Sequence, residues 1–221
     1  MSFLVDAAKY YKALPHQTAA WEELEASLPI DTLTRFMEAY RTAPVPLTEN
    51  PIDLVYFYQN DNASGTGYRE CYSSSCAMLA AHYGKVSSDD EYNLIRERYG
   101  DSTDTAAQIA ALRSLGLTPQ FHTDGDIADL KVEIDAGRPV AVGWLHKGHV
   151  SSPQGGGHWS VVIGYTDTGF VLNDPNGEAS LVGGGYANHS GGAGVHYSYK
   201  NWVPRWCVEG PNTGWYLTCR V

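Results

Sequence analysis

A chain of 221 residues can build one sizeable hydrophobic core, or one catalytic domain with a small appendage. Hydrophobic residues make up 43% of it and charged residues 18%, with six Trp and fifteen Tyr, which excludes extended disorder. The formal net charge is -10 and the fifteen Lys and Arg are scattered, so nucleic acid is excluded as a partner and anionic surfaces attract the chain weakly.

No stretch approaches the roughly eighteen consecutive apolar residues of a membrane span, and the start, MSFLVDAAKYYK, lacks the basic flank and apolar core of a secretory signal. The expectation is a chain made in the cytoplasm and not exported by the general route. The four cysteines, Cys71, Cys76, Cys207 and Cys219, include no C-x-x-C pair, so neither a structural metal nor any other cofactor is expected. A Cys207–Cys219 disulfide across a terminal hairpin is conceivable, but a reducing compartment argues against it.

In chain order, residues 1–43 read as a helical segment of three short helices broken at Pro15 and Pro29. The second carries Trp21 and Leu24. The third has Leu33, Phe36, Met37 and Tyr40 at helical spacing behind Asp31 as an N-cap. Residues 44–51, with three prolines, read as an extended linker, and 52–221 as the main domain. There, 54–58 is a strand-like run, and a polar, glycine-containing loop from Asn60 leads to Cys71. Helices are predicted over about 73–83, 89–99, 105–115 and 127–136, the last capped by Asp126 and stopped by Gly137. The chain then changes character: 139–145, 158–165 and 170–173 are β-branched and aromatic runs, the last two joined as a hairpin through 166–169. Gly183 to Gly194 reads as a long surface loop, and the tail, with Trp202, Trp206 and residues 214–217, as one or two closing strands. Helices first and an antiparallel sheet second make an α+β arrangement.

The chemistry centres on Cys71. A thiol attacks an acyl group well only as thiolate, and a position one or two residues before a predicted helix favours the anion, as would a nearby imidazolium. His158 opens a strand after three glycines and is the candidate base. The hairpin brings Asp174, just past its second strand, back to His158, where a carboxylate can accept the Nδ1 proton and hold the ring. Gln59, at the end of the run before the Cys71 loop, can supply an oxyanion donor beside the Cys71 N–H. The order Gln, Cys, His, Asp is that of a papain-like site.

Several segments are similar to the successive signatures of the cysteine peptidase family 39-like group: Tyr58-Gln59-Asn60-Asp61-Asn62, Cys71-Tyr72-Ser73-Ser74-Ser75-Cys76-Ala77-Met78, Gly137-Arg138-Pro139-Val140, Gly157-His158-Trp159-Ser160-Val161-Val162-Ile163-Gly164-Tyr165 and Asn173-Asp174-Pro175-Asn176-Gly177. The resemblance spans about 52–180 and implies a papain-like fold with Cys71 as nucleophile, His158 as base, Asp174 as orienting acid and Gln59 in the oxyanion hole. At Cys71-Tyr72-Ser73 the chain departs from the Cys-Gly-Pro of many relatives. Members cleave peptide or amide bonds, and include bacteriocin-leader peptidases that are transporter domains as well as phage and bacterial wall lysins.

Blander readings stand beside these. Cys71 also suits a buried structural thiol, Cys76 a packing residue, and Asp174 a turn-forming Asx. His149 is the second candidate base. His146, His149, His158 and His122 lack acidic or thiol partners at zinc spacing. Trp144, Trp159 and His149 are candidate substrate-binding residues, and Trp202 a further cleft or core residue. The expected function is therefore hydrolysis of a peptide or amide bond through a thioester, without cofactor. Peptidoglycan is the preferred substrate, cut by an endopeptidase or amidase of the phage-lysin type that acts after lysis or as part of a particle. The alternatives are a leader-cleaving protein-processing peptidase and a non-catalytic binding module on the same fold.

Overall fold

The structure is a computed structural model that describes residues 29–32, 34–35 and 50–221. Two compact units divide the chain at Thr48/Glu49. In the first, residues 30–32 and 34–35 are helical, so Asp31 lies inside the helix rather than capping it. The two earlier expected helices, Trp21, Leu24, Leu33, Phe36, Met37, Tyr40 and all but the end of the proline-rich linker lie outside the described residues.

After two 3-10 turns, Gln59–Asp61 and Gly67–Arg69, the second unit's first α-helix is α1 (Cys71–His82), whose residues Tyr72 to Ala80 are all buried, which makes it the central helix of the core. It ends because Gly84 takes φ +66 and closes the turn onto Ala81 while Lys85 N–H reaches Ala80 O. Next come α2 (Asp89–Arg96), capped by Ser88, and α3 (Thr105–Ser114), capped by Asp104. After β1 (Thr118–Gly125), α4 (Ile127–Asp135) opens with a reciprocal capping box between Asp126 and Asp129 and is followed by Gly137 at φ +72. The remaining elements are β2 (Val140–Trp144), β3 (His158–Tyr165), β4 (Gly169–Asn173), β5 (Glu178–Ala179), β6 (Tyr186–Asn188), β7 (Val195–Ser198), α5 (Tyr199–Trp206) and β8 (Gly214–Arg220).

Six strands form one antiparallel sheet in the order β1-β8-β2-β3-β4-β7, and β5-β6 form a separate ribbon. Helix α1 packs on β3 and β2, where Val140, Val142, Val161 and Val162 are fully buried. The expected α+β, papain-like class is what is found. All four cysteines are free thiols.

Four local expectations need correction. Residues 54–58 form no strand: Ile52 N–H bonds Ile163 O, but no ladder continues from it. Strand β1 was not predicted, because Thr118-Pro119-Gln120 gives no apolar alternation and the strand is defined by its pairing with β8. Trp202 and Trp206 lie on α5, not in a strand. That helix contains Pro204, which removes one helical hydrogen bond, and it is held by burial of both indoles stacked at 5.2 Å. The glycine-rich stretch is not all loop, since it carries β6.

Arg205 on α5 is fully buried, has no carboxylate partner among the described residues, and donates to the carbonyls of Leu145, Lys147, Gly148 and Leu181, tying the loop after β2 to the helix. Arg205→Met strips those acceptors of their donor, and urea denaturation should show a loss of at least about 3 kcal/mol.

Candidate active site

Cys71 is the first residue of α1, one step further into the helix than expected, because Ser74 N–H already bonds Glu70 O. Its own N–H is among the helix-start donors that no helical carbonyl accepts. Immediately before it, the Glu70 carboxylate is buried and accepts from Asn62 (2.7 Å), Ser64 (2.9 Å) and Thr66 (2.7 Å), with Asn93 at 3.4 Å. This network folds the 60–70 loop back onto the start of the helix, fixing where Cys71 emerges.

His158 arrives from β3, opposite Trp144 in register, and is 3% exposed. Its Nε2 lies 2.7 Å from Oδ1 of Asp174, which follows β4 and is fully buried. The expected contact is present with the other ring nitrogen: Asp174 takes Nε2, which leaves Nδ1 for Cys71. Cys71 acts on the same ring electrostatically, favouring its protonated form. Burial opposes the imidazolium, but the Asp174 carboxylate, with Cys71 adding to it, outweighs that and raises the pKa of His158 to about 10.

Asp174 is held on every side. It accepts from Tyr197 OH (3.0 Å), Tyr186 OH (3.2 Å) and Asn176 N–H (3.0 Å), while its backbone bonds Gly192 O, Tyr56 OH and Gly177 N–H. The turn reading and the orienting reading of Asp174 are thus both realised, because Oδ1 serves an Asx turn and the imidazole together. Tyr186 and Tyr197 were not singled out in the sequence. Burial and the neighbouring carboxylate push both phenols far above their ordinary range, so they remain donors.

Gln59 is buried in a short 3-10 turn, and its amide donates to Gly67 O at 2.8 Å, while its Oε1 finds no partner. The second hydrogen on Nε2 is the one left to serve an oxyanion. Gly67 is required here, since a Cβ would meet Gln59 O at 2.0 Å. Trp159 stacks flat on Tyr72 (3.7 Å, 4°) and lines a cleft beside Cys71. Trp144 sits edge-on behind His158 at 5.3 Å, buried and bonded to Ser160, and reaches the cleft only as part of its wall. Trp202 is core.

His149 requires correction. It is exposed near the tip of a turn closed by the Lys147–Gln154 bridge and bonds its own neighbour Ser151, with no bond to Cys71, His158 or Asp174. The second imidazole near His158 is His146, 5.5 Å from its ring, whose pKa burial and the charge of His158 lower to about 4. Among the described residues no cluster of three or more His, Cys, Asp or Glu is suited to a metal ion, and no helix is long and apolar enough to cross a membrane.

Ring nitrogen shifts should separate the two imidazoles: His158 stays cationic up to about pH 10, and His146 stays neutral down to about pH 4. In Asp174→Asn the His158 midpoint should fall back toward the ordinary histidine range, as followed by heteronuclear NMR titration.

No curated protein matches the chain. Among solved structures, the peptidase domain of Streptococcus ComA, a bi-functional ABC transporter involved in a quorum sensing pathway, is similar at 18% identity and TM-score 0.49, covering 75% of this chain and 96% of that one. A double glycine motif protease from an AMS/PCAT transporter, solved with its leader peptide, is similar at 17% identity and TM-score 0.46, covering 78% of this chain and 95% of that one. The family model of the Peptidase_C39 like family matches residues 51–188, which contain Gln59, Cys71, His158 and Asp174, and the chain belongs to that family.

Proposed function

We propose that the protein is a cysteine hydrolase of peptide bonds, with Cys71 as nucleophile, His158 as acid and base, Asp174 as the orienting carboxylate and Gln59 as an oxyanion donor. The observation that carries this reading is the imidazole clamped through Nε2 by a fully buried carboxylate while its remaining nitrogen is left to a cysteine at a helix N-terminus. An imidazolium in that position is the counter-ion a nucleophilic thiolate requires.

In this reading the Cys71 sulfur attacks the scissile carbonyl carbon, and the resulting oxyanion takes the Cys71 N–H and the free Gln59 amide hydrogen. Collapse breaks the C–N bond as His158 Nδ1 passes its proton to the leaving amine, leaving a thioester. Water then gives a proton to Nδ1 and its oxygen to the acyl carbon, releasing the acid and restoring the thiolate–imidazolium pair. Asp174 keeps the ring in one orientation through both halves.

The catalytic groups by themselves do not distinguish a wall peptide from any other peptide, so the lysin expectation narrows here to peptide-bond hydrolysis. Amide cleavage in peptidoglycan is tested beside it by zymography on bacterial walls and on casein.

At pH 6, iodoacetamide should alkylate Cys71 selectively, and His158→Ala should slow that reaction at least about tenfold. Cys71→Ala should reduce turnover at least about 10³-fold, and Gln59→Ala should reduce kcat by about 10²–10³ with alkylation unchanged. A Cys71 that alkylates equally fast with and without His158 would assign the chain to the non-catalytic alternative.

A further inference from the structure

We propose that the cavity beside Cys71 is a specificity pocket for one large apolar side chain, aromatic or long aliphatic, flanking the bond cleaved; this rests on the hydrolase reading above. The cavity measures about 350 Å³, within the range of pockets that enclose a ligand group, and Cys71 forms part of its wall. An occupant therefore sits next to the carbonyl under attack.

The walls are built for apolar contact. Trp159 pairs with Gly143 across β3 and β2, and a Cβ on Gly143 would come within 2.9 Å of the indole. Glycine at 143 thus lets Trp159 lie across the neighbouring strand, with Tyr72 stacked on it. Trp215 stands on the other side, 53% exposed and edge-on to Phe121 at 5.8 Å, so half of a large indole meets water at the mouth of the cavity. Covering that surface is a source of binding energy for an apolar group.

Gly155, Gly156 and Gly157 are exposed residues of the lining. Gly155 and Gly157 take φ of +117 and +83, so the backbone itself asks for glycine there. Gly156 is different: its φ is not positive, and a Cβ built on it meets nothing within 4 Å. The fold does not require glycine at 156, and with no side chain there this part of the lining stays open.

The charged groups on the lining do not favour an ionic occupant. Arg205 is fully buried, and four of its five N–H donors are held by backbone carbonyls. Glu209 is exposed, where solvent screens it.

The test is cleavage of a peptide library by the full chain, read by mass spectrometry. Phenylalanine, tyrosine, tryptophan, leucine or methionine should be enriched at one fixed position flanking the cut, by about 100-fold over glycine in kcat/KM. Gly156→Phe should move the preference to glycine and alanine while alkylation of Cys71 by iodoacetamide stays within about twofold of wild type, and Trp215→Ala should reduce the apolar preference about tenfold. A preference for glycine, lysine or arginine, no preference, or an unchanged profile in Gly156→Phe overturns the pocket, even where alkylation still depends on His158. If the library is not cleaved, the same comparison is made by protection of Cys71 from iodoacetamide with N-acetyl amides of phenylalanine and glycine. Selective protection by the phenylalanine amide that is lost in Gly156→Phe supports the pocket; equal protection, or none, overturns it. Loss of the His158 dependence of alkylation sinks the hydrolase reading separately.

Discussion

A carboxylate with no exposure to water has to be solvated by the protein, and around Asp174 that requirement organises much of the sheet half of the domain. Four donors converge on it: the His158 imidazole from β3, Tyr197 from β7, Tyr186 from β6 and the Asn176 N–H of its own turn. Each comes from a different stretch of chain, so the strand order and the register of β3 on β4 must be correct before the charge is satisfied. In return the buried charge keeps His158 cationic against the burial that opposes it.

On the other side of the site a second buried carboxylate is satisfied by neutral donors alone. Glu70 is likewise buried, and it is surrounded by neutral amide and hydroxyl donors from the loop that begins at Gln59. That loop ends at the first turn of α1, so the same hydrogen bonds that satisfy Glu70 position the start of the helix carrying Cys71. Gln59 is drawn into this arrangement through Gly67, whose missing side chain permits the close crossing of the two 3-10 turns.

Much of this was legible in the sequence where a local signal coincided with the final contact. Asp126 caps its helix with a side-chain hydrogen bond, and Gly84 and Gly137 end helices in the left-handed conformation that glycine favours. The His158–Asp174 pairing could be read because a short hairpin returns the chain to its starting end, a local matter. What could not be read was set by distant partners. Strand β1 exists through β8, the indoles of α5 sit in a helix that Pro204 argues against, and Tyr186 looks like one more residue of a glycine-rich loop until β5 and β6 pair. The ring nitrogen that meets Asp174 is likewise a matter of side-chain approach, which spacing along the chain does not encode. His149 and His146 are three residues apart, and only the turn closed by Lys147 and Gln154 decides which of them lies inward.

The placement of Tyr186 has a further consequence. It reaches Asp174 from a ribbon of two and three residues that stands outside the six-stranded sheet. Opening of so short a pairing withdraws one ligand from the carboxylate while the large sheet stays intact. The integrity of the charge network around Asp174 and His158 and the integrity of the domain therefore have different thresholds, with the more fragile one lying in the segment richest in glycine.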